Sequence, residues 1–516
     1  MKFCKVADIV DWQDAEFQST ATMLGCGGKD RKAWEFIHVY IGLKALGLLN
    51  QDTRALGLGV GHECLIYAFT NSCKEVIATD LYESQDWSTA SMAVNDVYER
   101  NPFPYQRDRL LVKHMDMTQI EFPDNSFDFI WSCCAIEHVN NFRDLHRVYQ
   151  EIHRVLKPGG IAALTTEFNS TDRPSYEPNL LFTDASWIEA WLTGNNPLVQ
   201  GFDLLDFPDL SITPRPENAP VPRRQPGNTI QIYCNDIVLN SVAVFLRKAG
   251  DFSRPYDENW LSPFWSGYLT ACDRYREGNF AQSEALLTEL LQANALEPRL
   301  NVRASRRLAD ALFAQGKIDE VRTVCKDVLP DCEVFEDEDQ FMPLAVYCQK
   351  VGLEDEANYL YGKIENLASS NIDLVIQSLL AQAKYFERKG EYAKSLELIK
   401  KADQAIVPGS HTVKSYRHKI YFRTGFLHEK MGQLELAVRF YRQAIKASTP
   451  GTDFHTNCYL RLTHCLQNQV NQLKETVHQL EATNHWMQTS KFWQLRSKWI
   501  SLKEFLKSRS KPASTS

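Results

Sequence analysis

The chain has 516 residues, too many for one ordinary hydrophobic core, so two or more domains are expected. Hydrophobic residues make up 44% and charged residues 24%, the balance of a soluble globular protein rather than a disordered or fibrous one, and a net charge of −8 argues against nucleic acid or an anionic membrane as a partner. Thirteen cysteines, odd in number and without CxxC pairs, indicate neither a disulfide framework nor a metal site; with no signal-peptide pattern and no apolar run of about 20 residues, a reducing cytoplasm and no transmembrane segment are expected.

In chain order, residues 1–28 read as a polar lead-in, and Trp34 to Leu49 has helical periodicity. Ala55-Leu-Gly57-Leu-Gly59-Val-Gly61-His-Glu63 then reads as a strand running into a glycine turn, with a second strand ending at Asp80. A parallel α/β sheet holds an adenosine-type cofactor this way: glycines let the backbone turn tightly, and a carboxylate at the next strand's tip can accept bonds from two ribose hydroxyls. The dinucleotide fingerprint Gly-x-Gly-x-x-Gly is not met, because its third glycine would fall on His62. A third strand leads to Asp116-Met117, a fourth runs through Phe127-Asp128 to Ser132-Cys133, and Glu137-His138 follow it. A helix from Phe142 to Leu156 stops at Lys157-Pro-Gly-Gly160, and a fifth strand ends at Glu167. Residues 169–230 form a long proline-rich insertion, placed by its position at the ligand-binding edge of the sheet. Gln231 to Cys234 and Asn240 to Leu246 read as the last two of seven strands, which closes a domain at 29–248.

A linker is expected at 249–262 and helical repeats over 263–470. The landmarks are Gly278, Gly316, Gly352, Gly390 and Gly432, spaced 38, 36, 38 and 42 residues apart. Small and apolar residues follow at helical spacing, as at Leu434, Ala437, Tyr441 and Ala444. This resembles divergent tetratricopeptide repeats, whose period is about 34 residues, and implies an all-α helical-hairpin superhelix with a groove for a protein partner. Residues 471–516 read as a basic helix and tail: Lys491, Arg496, Lys498, Lys503 and Lys507 interleave with Phe492, Trp493, Leu495, Trp499 and Leu502. Such a helix either caps the last repeat or meets a membrane or an acidic partner.

Residues of about 30–248 resemble a class I S-adenosylmethionine-dependent methyltransferase. The resemblance rests on the ordered set Gly57-x-Gly59-x-Gly61, Asp80, Asp116-Met117, Phe127-Asp128 and Leu156-Lys-Pro-Gly-Gly160. It implies an α/β Rossmann-like seven-stranded sheet and S-adenosyl-L-methionine as cofactor. Gly57, Gly59 and Gly61 would lie under the amino-acid portion, Asp80 on the ribose, Asp116 and Met117 at the adenine, and Ser132 and Cys133 near the methyl. Asp80 and Asp116 also suit helix caps. The family carries an acid two residues before the first glycine, where this chain has Ala55; Glu63 is the candidate to help hold the methionine end instead. Catalytic candidates are His138 as base, with Glu137 and Glu167 beside it; His138 equally suits a helix start. Arg215, Arg223 and Arg224 could hold an acidic acceptor. The implied reaction is O- or N-methylation of a small molecule or glycan. Protein methylation, or a repeat scaffold with an inert methyltransferase-like domain, are the alternatives.

Overall fold

Short apolar runs alternating with amphipathic stretches dictate a parallel sheet covered on both faces, since each crossover must return over the sheet through a helix. The computed structural model describes residues 1–83, 92–222, 229–234, 236–292, 296–335, 337–367, 371–406 and 411–509. They form two compact units, Met1–Leu360 and Tyr361–Ser516.

The first unit opens with β1 (Lys5–Val6), α1 (Ala15–Met23) and α2 (Arg31–Ala45). Next come β2 (Arg54–Leu58), α3 (Cys64–Thr70), β3 (Glu75–Asp80), α4 (Val94–Glu99), β4 (Leu110–His114), β5 (Phe127–Cys133), α5 (Phe142–Val155) and β6 (Leu156–Asn169). A hairpin of β7 (Tyr176–Glu177) and β8 (Leu180–Leu181), α6 (Ala185–Ile188), β9 (Phe202–Leu204), β10 (Val221–Pro222), β11 (Ile232–Cys234) and β12 (Ile237–Lys248) complete its α/β part. The sheet order is β10-β11-β12-β6-β5-β2-β3-β4. From β4 to β6 every pairing is parallel, whereas β12 runs antiparallel to β6 with Leu239 opposite Asn169 and Arg247 opposite Ile161. The seven expected strands are present. Three short ones add to them, because the outer edge of β12 is paired in turn by β11, β1 and β9, while β10 extends β11. An edge that long would otherwise expose a row of unpaired backbone groups.

Two sequence readings change here. Residues 1–28 are not a polar lead-in: Cys4, Val6 and Ala7 are buried beside β12, and Trp12, Phe17, Ala21 and Leu24 fall at helical spacing and pack into the core. Nor is the insertion confined to the ligand-binding edge, for β9 pairs with the opposite end of β12, and Trp187 and Trp191 are buried near Tyr149 and Phe142 of α5. The segment expected as a linker is packed as well: Phe252 and Tyr256 lie against His146, and Trp260 against Phe142.

The first repeat helices join this unit through buried charge. The hairpin α7 (Pro263–Arg276) and α8 (Phe280–Gln292) is followed by α9 (Pro298–Ala314), α10 (Ile318–Asp327), α11 (Leu329–Val334) and α12 (Glu338–Lys350). Glu177 of β7 accepts hydrogen bonds from Tyr268 of α7 at 2.8 Å and from Arg303 and Arg307 of α9 at 2.9 and 2.8 Å. Burial opposes its charge, yet Arg307 and Arg303 hold the carboxyl down at about 2.

The remaining helices are α13 (Glu354–Leu367), α14 (Ile372–Arg388), α15 (Tyr392–Gln404), α16 (His411–Lys430), α17 (Leu434–Ala447), α18 (Asp453–Thr489) and α19 (Lys491–Arg509). All five landmark glycines sit between paired helices with φ of 74–82°. The next amide after each bonds back to the preceding helix in the same way: Asn279 to Arg274, Lys317 to Leu312, Leu353 to Cys348, Glu391 to Phe386 and Gln433 to His428. A left-handed glycine closing a helix with this bond is why glycine recurs there. The boundary expected at residue 470 falls inside α18, and the reading of the basic helix as a cap is corrected: Phe492, Leu495 and Trp499 of α19 are exposed.

Candidate active site

The parallel strands end on one side of the sheet, and the turns that follow β2, β3, β4 and β5 converge there on a cavity of about 1320 Å³. Its wall includes Gly59, Gly61, Glu63, Asp80, Asp116, Met117 and Cys133 from one group of candidates, and His138 and Glu167 from the other.

The glycines act through packing as well as conformation. Gly59 and Gly61 have φ of 64° and 48°. A Cβ on Gly59 would lie 2.5 Å from Ala135 and 3.2 Å from Met117. Gly57 is different: it lies outside the cavity wall, and a Cβ there would meet Val60 at 2.6 Å and Trp131 at 2.7 Å. It is a packing glycine that lets β2 lie against the indole of β5. Ser132 likewise does not reach the cavity; it is fully buried and donates to the Leu58 carbonyl at 2.8 Å.

Asp80 stands at the tip of β3. Its carboxylate accepts the Gly61 N–H at 2.8 Å and the Leu81 N–H at 2.7 Å, so the acid also fixes the glycine turn. Burial raises its pKa against these two bonds. Asp116 accepts from the Thr118 amide and hydroxyl, both at 2.8 Å, and so closes its own turn. Glu63 accepts from the Trp131 indole N–H, and burial pushes its carboxyl up to about 8, with the indole and Lys32 pulling the other way. Ala55 is fully buried.

At the other end, His138 Nδ1 lies 2.9 Å from the Asn179 carbonyl, and Asn179, with φ of 65°, is the residue among those described in the 169–230 insertion that lines the cavity. Glu137 is turned away from the wall: it is buried, its Oε1 accepts the Glu167 N–H at 2.9 Å, and burial raises its pKa. It anchors β6 instead of facing a ligand. Glu167 is ion-paired to Arg31. Arg215 lies outside the wall, and Arg223 and Arg224 lie outside the described residues.

Arg31 and Lys32 are cavity residues that the sequence reading missed, as are Cys26, Gly27 and Gly28 before them. Asp30 caps α2 by accepting the Ala33 N–H at 2.9 Å, which sets the helix start at the cavity edge. The fully buried Glu35 accepts from Lys32 at 2.8 Å and lies 3.6 Å from Arg31; burial opposes its charge, but Lys32 and Arg31 keep its pKa below the ordinary value. Glycines at 25, 27 and 28 before a capping acid were the available signal.

Comparison with known proteins matches residues 55–164 to the methyltransferase-domain family, and residues 268–330 to the tetratricopeptide repeat. The chain carries an S-adenosylmethionine-type methyltransferase domain followed by tetratricopeptide repeats. The methyltransferase domain is similar to sterol 24-C-methyltransferase erg6 of Aspergillus fumigatus, 45% identical over 65 residues, which are 12% of this chain and 16% of the relative. It is similar also to sterol 24-C-methyltransferase ERG6A of Gibberella zeae, 32% identical over 108 residues (19% and 28%). A third relative is 27-O-demethylrifamycin SV methyltransferase of Amycolatopsis mediterranei, 37% identical over 57 residues (11% and 20%). The chain thus spans less than a third of the length of each of these relatives. Among solved structures, the [4+2]-cyclase SpnF aligns at 20% identity over 40% of this chain and 77% of its own, with a TM-score of 0.26. No helix among the described residues is long and apolar enough to cross a membrane.

Proposed function

We propose that the methyltransferase domain binds S-adenosyl-L-methionine in this cavity and transfers its methyl group to an oxygen or nitrogen of a small-molecule or saccharide acceptor, while the repeats dock a protein. The carrying observation is the single cavity that has Gly59, Gly61, Glu63, Asp80 and Met117 on its wall together with His138, Glu167 and Arg31. The residues present fit the cofactor. Asp80 offers a carboxylate already aimed by two backbone amides, so it can accept ribose hydroxyls without reorganising. The positive-φ glycines leave space that a Cβ would fill. Glu63 supplies the negative charge that Ala55 does not, opposite the cofactor's ammonium. Asp116 and Met117 border the adenine, and Cys133 lies toward the methyl end.

When bound, the sulfonium supplies an activated methyl carbon. The protein's part is alignment of the acceptor and removal of its proton. His138, its Nδ1 held at the Asn179 carbonyl, is the base, and Glu167 with Arg31 positions the acceptor. Charged and amide groups at this end, including Lys32, Asn140, Asp144 and Asn179, favour a hydroxyl- or amine-bearing acceptor over an apolar one such as the sterol named for two relatives. Thirteen free cysteines fit a reducing, cytoplasmic setting. Calorimetric titration with S-adenosylmethionine tests the cofactor, and mass-spectrometric search of cell extracts for products heavier by one CH2 tests the acceptor. No heat at millimolar cofactor would sink the reading and favour an inert domain on a repeat scaffold, the alternative that Ala55 supports. Methylated polypeptide in place of a small product would favour a protein methyltransferase.

A further inference from the structure

The helix α18 runs unbroken for 37 residues, about 55 Å. Cys458 and Cys465 are its buried residues, and Cys465 shares a cluster with Tyr441, Leu434 and Leu462. From Leu466 to Thr489 no described side chain is buried. A helix of that length without tertiary support is marginal in water unless something covers an apolar face.

Such a face is present. Leu466, Val470, Leu473, Val477 and Leu480 are spaced 4, 3, 4 and 3 residues apart and are 37–65% exposed. Asn484 and Met487 continue the alternation. This is a heptad seam with valine and then asparagine at the first core position, a, and leucine and methionine at the second, d. It is offset around the helix from Cys458 and Cys465, so packing within the repeats leaves Leu466 to Leu480 open, while Asn484 and Met487 border Trp493 and Ser497 of α19. β-Branched residues at a with leucine at d select two parallel strands, and one buried asparagine fixes their register.

We propose that α18 pairs with α18 of a second copy of this chain as a parallel, in-register two-stranded coiled coil over residues 466–487. The pattern is self-complementary in that arrangement. Each Asn484 meets its own mate and can exchange amide hydrogen bonds with it. An antiparallel pairing along the same seam would set Asn484 against a leucine, Leu466 or Leu473 according to register, and bury its amide unsatisfied. The flanking positions oppose no like charges either: Gln469 faces Lys474 of the partner copy, and Thr476 faces Glu481. A dimer joined here would present two methyltransferase domains on one stalk.

Sedimentation equilibrium of the full chain at tens of micromolar is expected to give a dimer. The double variant Leu473→Glu, Leu480→Glu is expected to give a monomer that keeps the wild-type melting transition of the methyltransferase domain and the repeats but loses part of the helical ellipticity contributed by residues 466–487, because both residues are exposed in the single chain and only the partner helix covers them. Under mild oxidation Val477→Cys is expected to form a 477–477 disulfide, identified by peptide mass spectrometry; only parallel, in-register helices bring that position to its own mate. A monomeric wild type would overturn the proposal. So would a dimer that persists in the double variant, or a Val477→Cys dimer that fails to cross-link.

Discussion

Replacing Glu63 by glutamine separates what this carboxyl does for the fold from what it does for the ligand. Burial pushes it up to about 8 in the folded chain, against an ordinary value of 4.5. The folded pKa is the higher one, so the favoured form is protonated: its contribution is complete below the unfolded pKa and is lost as pH rises from about 4.5 toward 8. At pH 7 the unfolded chain is ionised there and the fold is not, so that holding the proton costs up to about 3 kcal/mol. Glu63→Gln removes that cost and keeps an oxygen for the Trp131 N–H. The variant is therefore expected to resist urea better than wild type at pH 7 by up to about 3 kcal/mol, and to match it near pH 4.5. Cofactor binding moves the other way. A cationic ammonium needs the carboxylate ionised, so wild-type binding at pH 7 should release close to one proton, seen by calorimetry in buffers of different ionisation heat; the variant should release none and bind more weakly by about 1.5–3 kcal/mol. Equal stability of variant and wild type at pH 7, or the same proton release from both, would refute the assignment of Glu63.

Asp80→Ala is expected to weaken cofactor binding by about 2–4 kcal/mol, since charge-assisted bonds to ribose are lost and the Gly61 amide is freed; an unchanged dissociation constant would take Asp80 out of the site. His138→Ala should lower turnover on the acceptor by roughly 10²–10⁴-fold while calorimetric cofactor affinity stays as it was, and full turnover would rule it out as the base. Glu177→Ala should cost up to about 3 kcal/mol in urea unfolding of the first unit, because it removes the carboxylate that Arg303 and Arg307 share and leaves them only their longer pairs with Asp337 and Asp310. The Glu177 pKa is depressed to about 2, so this contribution is expected in full above about 4.5 and should fade as pH falls through 2; a loss under 1 kcal/mol at pH 7 would contradict the buried-cluster reading.

The methyltransferase domain was legible in the sequence because its signals are local. A glycine turn, an acid at a strand tip and a Lys-Pro-Gly-Gly stop each report on the few residues around them. The repeat glycines were legible for the same reason, for one left-handed residue closes each hairpin. What sequence reasoning missed depends on pairs far apart in the chain. Glu177 and Arg303 are separated by 126 residues, and no composition or periodicity marks them as partners. Gly57 and Ser132 had the right motif and the wrong role: the alternation of a strand says that a residue faces inward but not whether a ligand or Trp131 waits there. The first 28 residues looked polar because their apolar positions are few and are divided among a strand, a turn and a short helix, although Cys4, Trp12, Phe17 and Leu24 among them are buried.

The proposed acceptor end of the cavity depends on α2, the helix that follows this stretch. Glu35, buried on α2, accepts from Ser241 of β12 and from Lys32, and lies 3.3 Å from Thr165 of β6 and 3.1 Å from Cys134 beyond β5. One carboxylate thus ties a helix to two strands and a turn. It stays ionised because Lys32 and Arg31 stand beside it, and that attraction in turn holds both cations at the cavity edge. Asp80 and the glycine turn take no part in this cluster. On the proposed reading, the half of the cavity that takes the cofactor is built by the sheet's own turns, while α2 adds Arg31 and Lys32 to the half that takes the acceptor, beside His138 and Glu167. Lys32 also pulls the Glu63 carboxyl down, so a change at Lys32 is expected to reach both ends of the cavity, whereas one at Arg31 is expected to act through Glu167 on the proposed acceptor end.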